Sequence, residues 1–121
     1  MKALTVCQPY ADMIARGEKI IENRTWPTRY RGPLAIHAGK SRAWMEPKDL
    51  EERPGMVFGA VVAMAELVGC VLVDDLQLSL RDRDDAQGPW CWVLEQVKPV
   101  TLPVFIAGAQ GLWEWTGPHE H

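Results

Sequence analysis

Residues 56–73 read MVFGAVVAMAELVGCVLV, and the reading of this stretch decides the fold. It is longer than an ordinary strand, which runs to about five or six residues. Its valines are stiff at χ1 and sit better on a pleated strand than in a helix. Glu66 and Gly69 interrupt the apolar run, so it does not supply the ~18 apolar residues of a membrane-spanning helix. What remains is a long bent strand or a hairpin-like pair. Gly59 and Gly69 would mark bulges or close approaches.

Upstream, KALTV (2–6) alternates as a short strand. QPYADMIARG (8–17) reads as a short helix, with Pro9 at its first position and Gly17 ending it in a left-handed conformation. KIIENR (19–24) is a strand, TWPTRYRG (25–32) a loop and PLAIHAG (33–39) another strand. Residues 40–55 form a polar excursion, with room for two helical turns over Pro47–Arg53. Downstream, residues 74–89 are a charged loop or irregular helix, in which Asp74, Asp75 and RDRDD are expected to be solvated. WCWVLEQV (90–97) and VTLPVFIAG (100–108) read as two strands, Pro103 confining the second to an edge or bulge. GLWEW (111–115) closes the domain. The expected fold is mainly β with short helices (α+β), a small closed or nearly closed β-barrel with a helix against it. One domain is expected over residues 1–116, followed by a flexible tail, 117–121, that carries His119 and His121.

Hydrophobic residues make up 47% of the chain and charged residues 24%, a globular composition. The N-terminus shows no apolar segment followed by a cleavage site, so a cytoplasmic protein is expected. Cys7, Cys70 and Cys91 are far apart and form no CxxC pair. A zinc cluster is not indicated, and small buried hydrophobes are expected. No metal or other cofactor is expected. The net charge of −3 hides an asymmetry. Residues 1–42 hold eight Lys/Arg against three Asp/Glu, and residues 43–121 hold five against thirteen. A basic N-terminal third points toward an anionic partner.

The chemistry concentrates in GEKIIENRTW (17–26). In a strand, Glu22 and Arg24 share a face, together with Ile20. Lys19 has the opposite parity and joins them only if the chain bends just after Gly17. A lysine of lowered pKa can act as nucleophile or base, but a neighbouring carboxylate favours its ammonium form. Alternatively a carboxylate acts as acid or base while lysine and arginine hold a phosphate. The loop that follows interleaves Arg24, Arg29 and Arg31 with Trp26 and Tyr30. Guanidinium groups pair with phosphates, and aromatic faces stack on unpaired bases for about 1–3 kcal/mol each. Lys40 and Arg42 come just after the next strand and could extend the patch. His37 is expected to be a satisfied strand-end histidine rather than a base. Trp90 and Trp92 share a face, as core aromatics or with one of them as a base platform. Trp113 and Trp115 are expected in the core.

QPYADMIARGEKIIENRTWPTRYRGPLAIHAGK (8–40) resembles the ASCH domain, the activating signal cointegrator homology region. The pattern G-x-K-x-x-E-x-R is matched by Gly17, Lys19, Glu22 and Arg24. The Gln-Pro-aromatic step is matched by Gln8, Pro9 and Tyr10, and the later aromatic and Arg-Gly by Trp26, Arg31 and Gly32. GAVVAMAELVGC and GLWEW also look like family segments. The resemblance implies a PUA-like β-barrel with a cleft. It implies binding of RNA, other single-stranded nucleic acid or a modified nucleoside, with Gln8, Tyr10, Lys19, Glu22, Arg24, Trp26, Arg29, Arg31 and Lys40 as candidate contacts. It also implies a possible hydrolase. Some bacterial relatives remove the acyl group from N4-acetylcytidine with the motif lysine, aided by a threonine and a glutamate. Carried over, Lys19 would be the catalytic residue. Glu22 stands where those relatives have threonine, and Glu66 is a guess for the second acid. A metal-dependent ribonuclease activity, assigned to another relative, ranks lower because no acidic cluster is visible. A barrel that binds proteins and no nucleic acid is the remaining alternative. The ligand and the oligomeric state are not legible.

Overall fold

The computed structural model describes residues 1–80 and 86–117 of the chain. In chain order it contains β1 (Lys2–Val6), α1 (Tyr10–Ala15), β2 (Ile21–Arg24), β3 (Gly32–Ala38) and α2 (Pro47–Glu52). These are followed by β4 (Ala60–Leu72), a 3-10 turn (Val73–Asp75), β5 (Trp90–Phe105) and β6 (Leu112–Glu114). The strands form one sheet in the order β2-β5-β4-β3-β1-β6. It curls into a half-barrel with β2 and β6 at its edges. All neighbours are antiparallel except β1 and β3, which run parallel with Leu4 beside Ile36 and Thr5 beside His37.

The apolar run that opens the reading is one bent strand, not a hairpin. β4 pairs with β3 and β5 along nearly its whole length, and its ladder with β5 shifts register three times, the last between Leu67 and Gly69. Each bulge bends the strand and raises its twist, which lets a 13-residue strand follow the curl. At Gly69 a Cβ would sit 3.4 Å from the Val93 side chain, a close approach. Gly59, with φ +71, turns the chain into the strand.

The two strands expected over 90–97 and 100–108 are a single strand ending at Phe105. The break expected near Lys98–Pro99 is absorbed in the ladder, where Lys98 still pairs with Met64 and Pro99 with Ala63. β2 reaches β5 only as far as Val93. Pro99 and Pro103 therefore lie where β5 is paired on one side, which is where a missing N–H is tolerated.

The main core lies between the sheet and α1, with Leu4, Leu34, Ile36, Leu67, Trp92 and Leu94 against Ala11 and Ile14. A second cluster, around Ala3, Ala35, Val61 and Trp115, covers the other face. A third gathers Ile21, Leu76 and Cys91. Of the cysteines only Cys91 is buried, while Cys7 and Cys70 are half-buried. Trp113 is half-buried against the second cluster. No helix among the described residues is long and apolar enough to cross a membrane. The RDRDD segment and the tail beyond Gly117, with His119 and His121, lie outside the described residues.

α1 is shorter than the sequence suggests. Pro9 occupies the capping position rather than the first helical one, because Gln8 supplies the cap from one residue further out. Its side-chain oxygen accepts from the Asp12 N–H at 2.8 Å, and its amide donates to the Val57 carbonyl at 2.7 Å. At the other end Gly17 takes φ +77. Its N–H bonds the Ile14 carbonyl at 3.0 Å, and the Glu18 N–H bonds that of Met13 at 2.9 Å. This left-handed closure turns the chain from helix to strand within a few residues. Arg53 locks the corner by bridging Asp12 and Glu18.

No atom lies within 4 Å of where a Cβ on Gly17 would be, so substitution there strains only the backbone. Gly17→Ala should lower stability by about 1–2 kcal/mol and Gly17→Asn by clearly less. Urea denaturation midpoints of the two variants check this. Equal stability of Gly17→Ala and the parent would contradict the closure.

Candidate functional site

β2 begins at Ile21, so Lys19 falls in the corner between helix and strand and escapes strand parity. The same corner redirects Ile20. It packs with Ile21 and Leu76 instead of sharing the face of Glu22 and Arg24, as the alternation suggested. Lys19 is only 5% exposed. Its ammonium lies 5.9 Å from the centre of the Tyr10 ring and makes no hydrogen bond or ion pair among the described residues. The stem is buried, while the ammonium itself keeps a small opening to solvent.

Glu22 and Arg24 sit on the edge strand opposite Trp92 and Trp90. Arg24 Nη2 lies 2.9 Å from Glu22 Oε2, and the same nitrogen donates to the backbone carbonyl of Thr5 at 2.6 Å. β6 pairs with β1 only over residues 2 to 4, and Thr5 is the next residue of β1. Arg24 Nε is buried and has no hydrogen-bond partner. Burial pushes the Glu22 carboxyl above the ordinary carboxylate range, while the charges of Arg24 and then Lys19 pull it down. Lys19 thus faces the same carboxylate without bonding it. The trio carries two cations, one anion and, at Arg24 Nε, one buried donor with no acceptor among the described residues.

The other candidates divide. Tyr10, 37% exposed, stands over Lys19 with a face open to solvent. Gln8 belongs to the helix cap and is fully engaged. Trp26 packs edge-on against Trp92 at 4.8 Å, and its carbonyl accepts from the Trp92 indole. It is part of the core rather than a free platform. Trp92 itself is fully buried. The interleaved arginine–aromatic loop does not converge on the trio. Arg31 donates to the carbonyls of Thr28 and Tyr30 in its own loop. The Tyr30 hydroxyl bonds the Pro33 carbonyl, near Glu66, Lys2 and Glu114. Arg29 is exposed. Glu66 sits opposite Pro33 and Glu95, on the face of β4 turned away from Leu67 and the α1 core, so the fold does not join it to Lys19. Arg42 lies over the Phe58 ring at 4.2 Å. His37 is buried with both ring nitrogens engaged, by Thr5 Oγ1 and the Ile106 carbonyl. Lys40 lies with it at a separate cavity. Thr5 is the participant that the sequence did not announce. As one residue of an alternating strand it carries no signal until the register with β3 and the reach of Arg24 are known. Among the described residues, no group of three or more His, Cys, Asp or Glu side chains could hold a metal ion.

The model of the ASCH domain family matches residues 4–103. The human protein Activating signal cointegrator 1 is 27% identical over 92% of this chain. This chain spans about a fifth of that relative, 22% of its length. Two crystal structures of an ASCH protein from Zymomonas mobilis share the fold. The S128A mutant aligns with TM-score 0.59 at 17% identity over 97% of this chain and 88% of that one. The unmutated protein aligns with TM-score 0.57 at 17% identity over 97% and 87%.

A carboxyl whose pKa is raised by folding holds its proton longer in the native chain than in the unfolded one. Glu22 therefore lowers stability as pH climbs from its unfolded value of about 4.3 through its folded value. Glu22→Gln removes that titration. The stability of the variant relative to the parent should rise with pH across this window and level off above it. Urea unfolding at a series of pH values measures the difference. A flat difference would show that burial does not dominate at Glu22.

Proposed function

Because this chain belongs to the ASCH domain family, a family generally linked to RNA binding, we propose that it binds RNA or a related single-stranded nucleic acid through Lys19, Arg24 and Tyr10. The observation that carries the reading is Lys19, a side chain only 5% exposed whose ammonium makes no hydrogen bond or ion pair among the described residues. Beside it, the Arg24 Nε–H is buried without an acceptor. Two such donors next to one carboxylate suit a ligand that brings acceptors and negative charge, which phosphates and base carbonyls supply. The exposed Tyr10 ring, close above the ammonium, is placed for a base to stack on. Glu22 keeps Arg24 oriented and can accept from, or when protonated donate to, the edge of a base.

A second reading is hydrolysis of an N4-acylated cytidine, with Lys19 as nucleophile or base and Glu22 relaying the proton. It is favoured by one feature, a carboxyl of raised pKa facing a buried amine. Glu22 in place of a threonine tells against it.

Binding of single-stranded RNA should weaken linearly on a log–log plot against salt, by about 0.7 per phosphate contact. Lys19→Ala should weaken it about tenfold or more at fixed salt, and Tyr10→Ala by about 1–3 kcal/mol. Fluorescence anisotropy with a labelled oligonucleotide measures both. Unchanged affinity in Lys19→Ala would sink the reading. Incubation with N4-acetylcytidine and chromatography for cytidine tests the alternative, which requires turnover that disappears in Lys19→Ala.

A further inference from the structure

A cavity of about 390 Å³ opens where the ends of β1, β3 and β5 meet, lined by Thr5, His37, Gly39, Lys40 and residues 106–110. None of Lys19, Glu22 or Arg24 lines it. The two places share only Thr5, whose carbonyl serves Arg24 while its side chain faces this cavity.

The floor is a continuous chain of hydrogen bonds. The Ile106 carbonyl can only accept, so His37 Nε2 carries the hydrogen and donates to it at 2.7 Å. His37 Nδ1 then accepts from the Thr5 hydroxyl at 3.1 Å. Thr5 Oγ1 in turn accepts from the Trp113 indole N–H at 3.1 Å. This chain ties the segment after β5 down onto β1 and β3. Gly108 lies against it so closely that a Cβ there would come 2.5 Å from Thr5 Oγ1 and 2.8 Å from His37 Nδ1. Only glycine lets the backbone pass. On the other wall, Gly59 donates to the Ala38 carbonyl at 2.8 Å and accepts from the Ile106 N–H at 3.1 Å. A Cβ on Gly59 would lie 2.9 Å from Lys40 Cε, so the Lys40 stem runs across that glycine.

The chemistry presented above this floor is one-sided. Among the described residues, Lys40 is the only charged side chain in the lining, no acid faces it there, and its ammonium has no ion pair. The backbone N–H groups of residues 107–110 donate to no acceptor among the described residues. Loop amides without an internal acceptor, in the lining beside a lysine, are available to an anion. Ile106, Ala107 and Ala109 add apolar surface, and the volume leaves room for much more than an anion alone. We propose that this cavity is a second binding site, distinct from the Lys19 cluster, for the phosphate group of a nucleotide-sized ligand. Lys40 and the amides of residues 107–110 hold the phosphate. The apolar wall takes the remainder of the molecule.

The test is an NMR titration of the ¹⁵N-labelled full chain with cytidine 5′-monophosphate, cytidine and a short 5′-phosphorylated oligonucleotide. The mononucleotide should shift the amides of Gly108, Ala109 and Gln110 saturably. Lys40→Gln, an exposed change that leaves the floor intact, should weaken this at least tenfold, and cytidine should not compete. Tighter binding of the mononucleotide than of the oligonucleotide would identify a free nucleotide as the ligand, and the reverse order a strand end. Either supports the site. Shifts confined to the surroundings of Lys19, equal binding of cytidine, or indifference to Lys40→Gln would each overturn it. Because the readout is local, failure here is distinguishable from failure of RNA binding at Lys19.

Discussion

Arg24 on the edge strand β2 reaches the carbonyl of Thr5 on β1, and much of the architecture follows from that bond. The two strands stand four places apart in the sheet. In a flat sheet that is roughly 19 Å at the usual strand spacing, beyond any side chain. The bond exists because the bulged β4 and the long β5 carry the sheet around until its first and fifth strands face each other. Glu22 accompanies Arg24 into the interior and holds its guanidinium in line. Burying such a pair is seldom stabilising in itself, whereas removing one member leaves an uncompensated charge. Its contribution is to fix one geometry, in which Lys19 and Arg24 Nε have no acceptor among the described residues.

Thr5 is the point at which the two polar regions divide. Leu4 and Val6 enter the core beneath α1, so Thr5 points its side chain to the opposite face, toward His37. Its carbonyl lies in the plane of the sheet, beyond the last pairing with β6, and is free for Arg24. One residue thus anchors a charged cluster by its backbone and a hydrogen-bonded floor by its hydroxyl. The brevity of β6, only three residues, is what allows both. A longer β6 would extend its ladder past Leu4 into the space that Arg24 uses.

The parts of this arrangement that local chemistry dictates were legible in the sequence. Gly17 announced a left-handed helix end, and that end freed Lys19 from strand alternation to join Glu22 and Arg24. The valine-rich run over residues 56–73 announced a long bent strand or a hairpin-like pair, and the structure has the bent strand. What was not legible depends on partners distant in sequence. Pro99 looked like a break because nothing local shows that β4 continues to pair across it. Tyr30, Arg31 and Trp26 looked like one interleaved surface because their spacing is local, but the directions of their side chains are set by Pro33, Thr28 and Trp92. Thr5 and Gly108 met only once the sheet order was fixed, more than a hundred residues apart.

The basic N-terminal third is a weaker guide to an anionic partner than its composition suggests, because the fold engages most of it internally. Lys2 pairs with Glu114, Arg16 with Asp12 and Arg24 with Glu22. Arg31 turns onto its own loop and Arg42 onto Phe58. Of the eight cations in residues 1–42, Lys19, Arg29 and Lys40 have neither an ion pair nor a hydrogen bond among the described residues. Arg29 is a solvated surface group, for which water compensates. The other two sit beside recesses, Lys19 next to the buried Arg24 Nε–H that lacks an acceptor and Lys40 at the rim of the cavity lined by residues 106–110. Selective internal pairing concentrates the unsatisfied positive charge at two places, and there an incoming anion gains most relative to water.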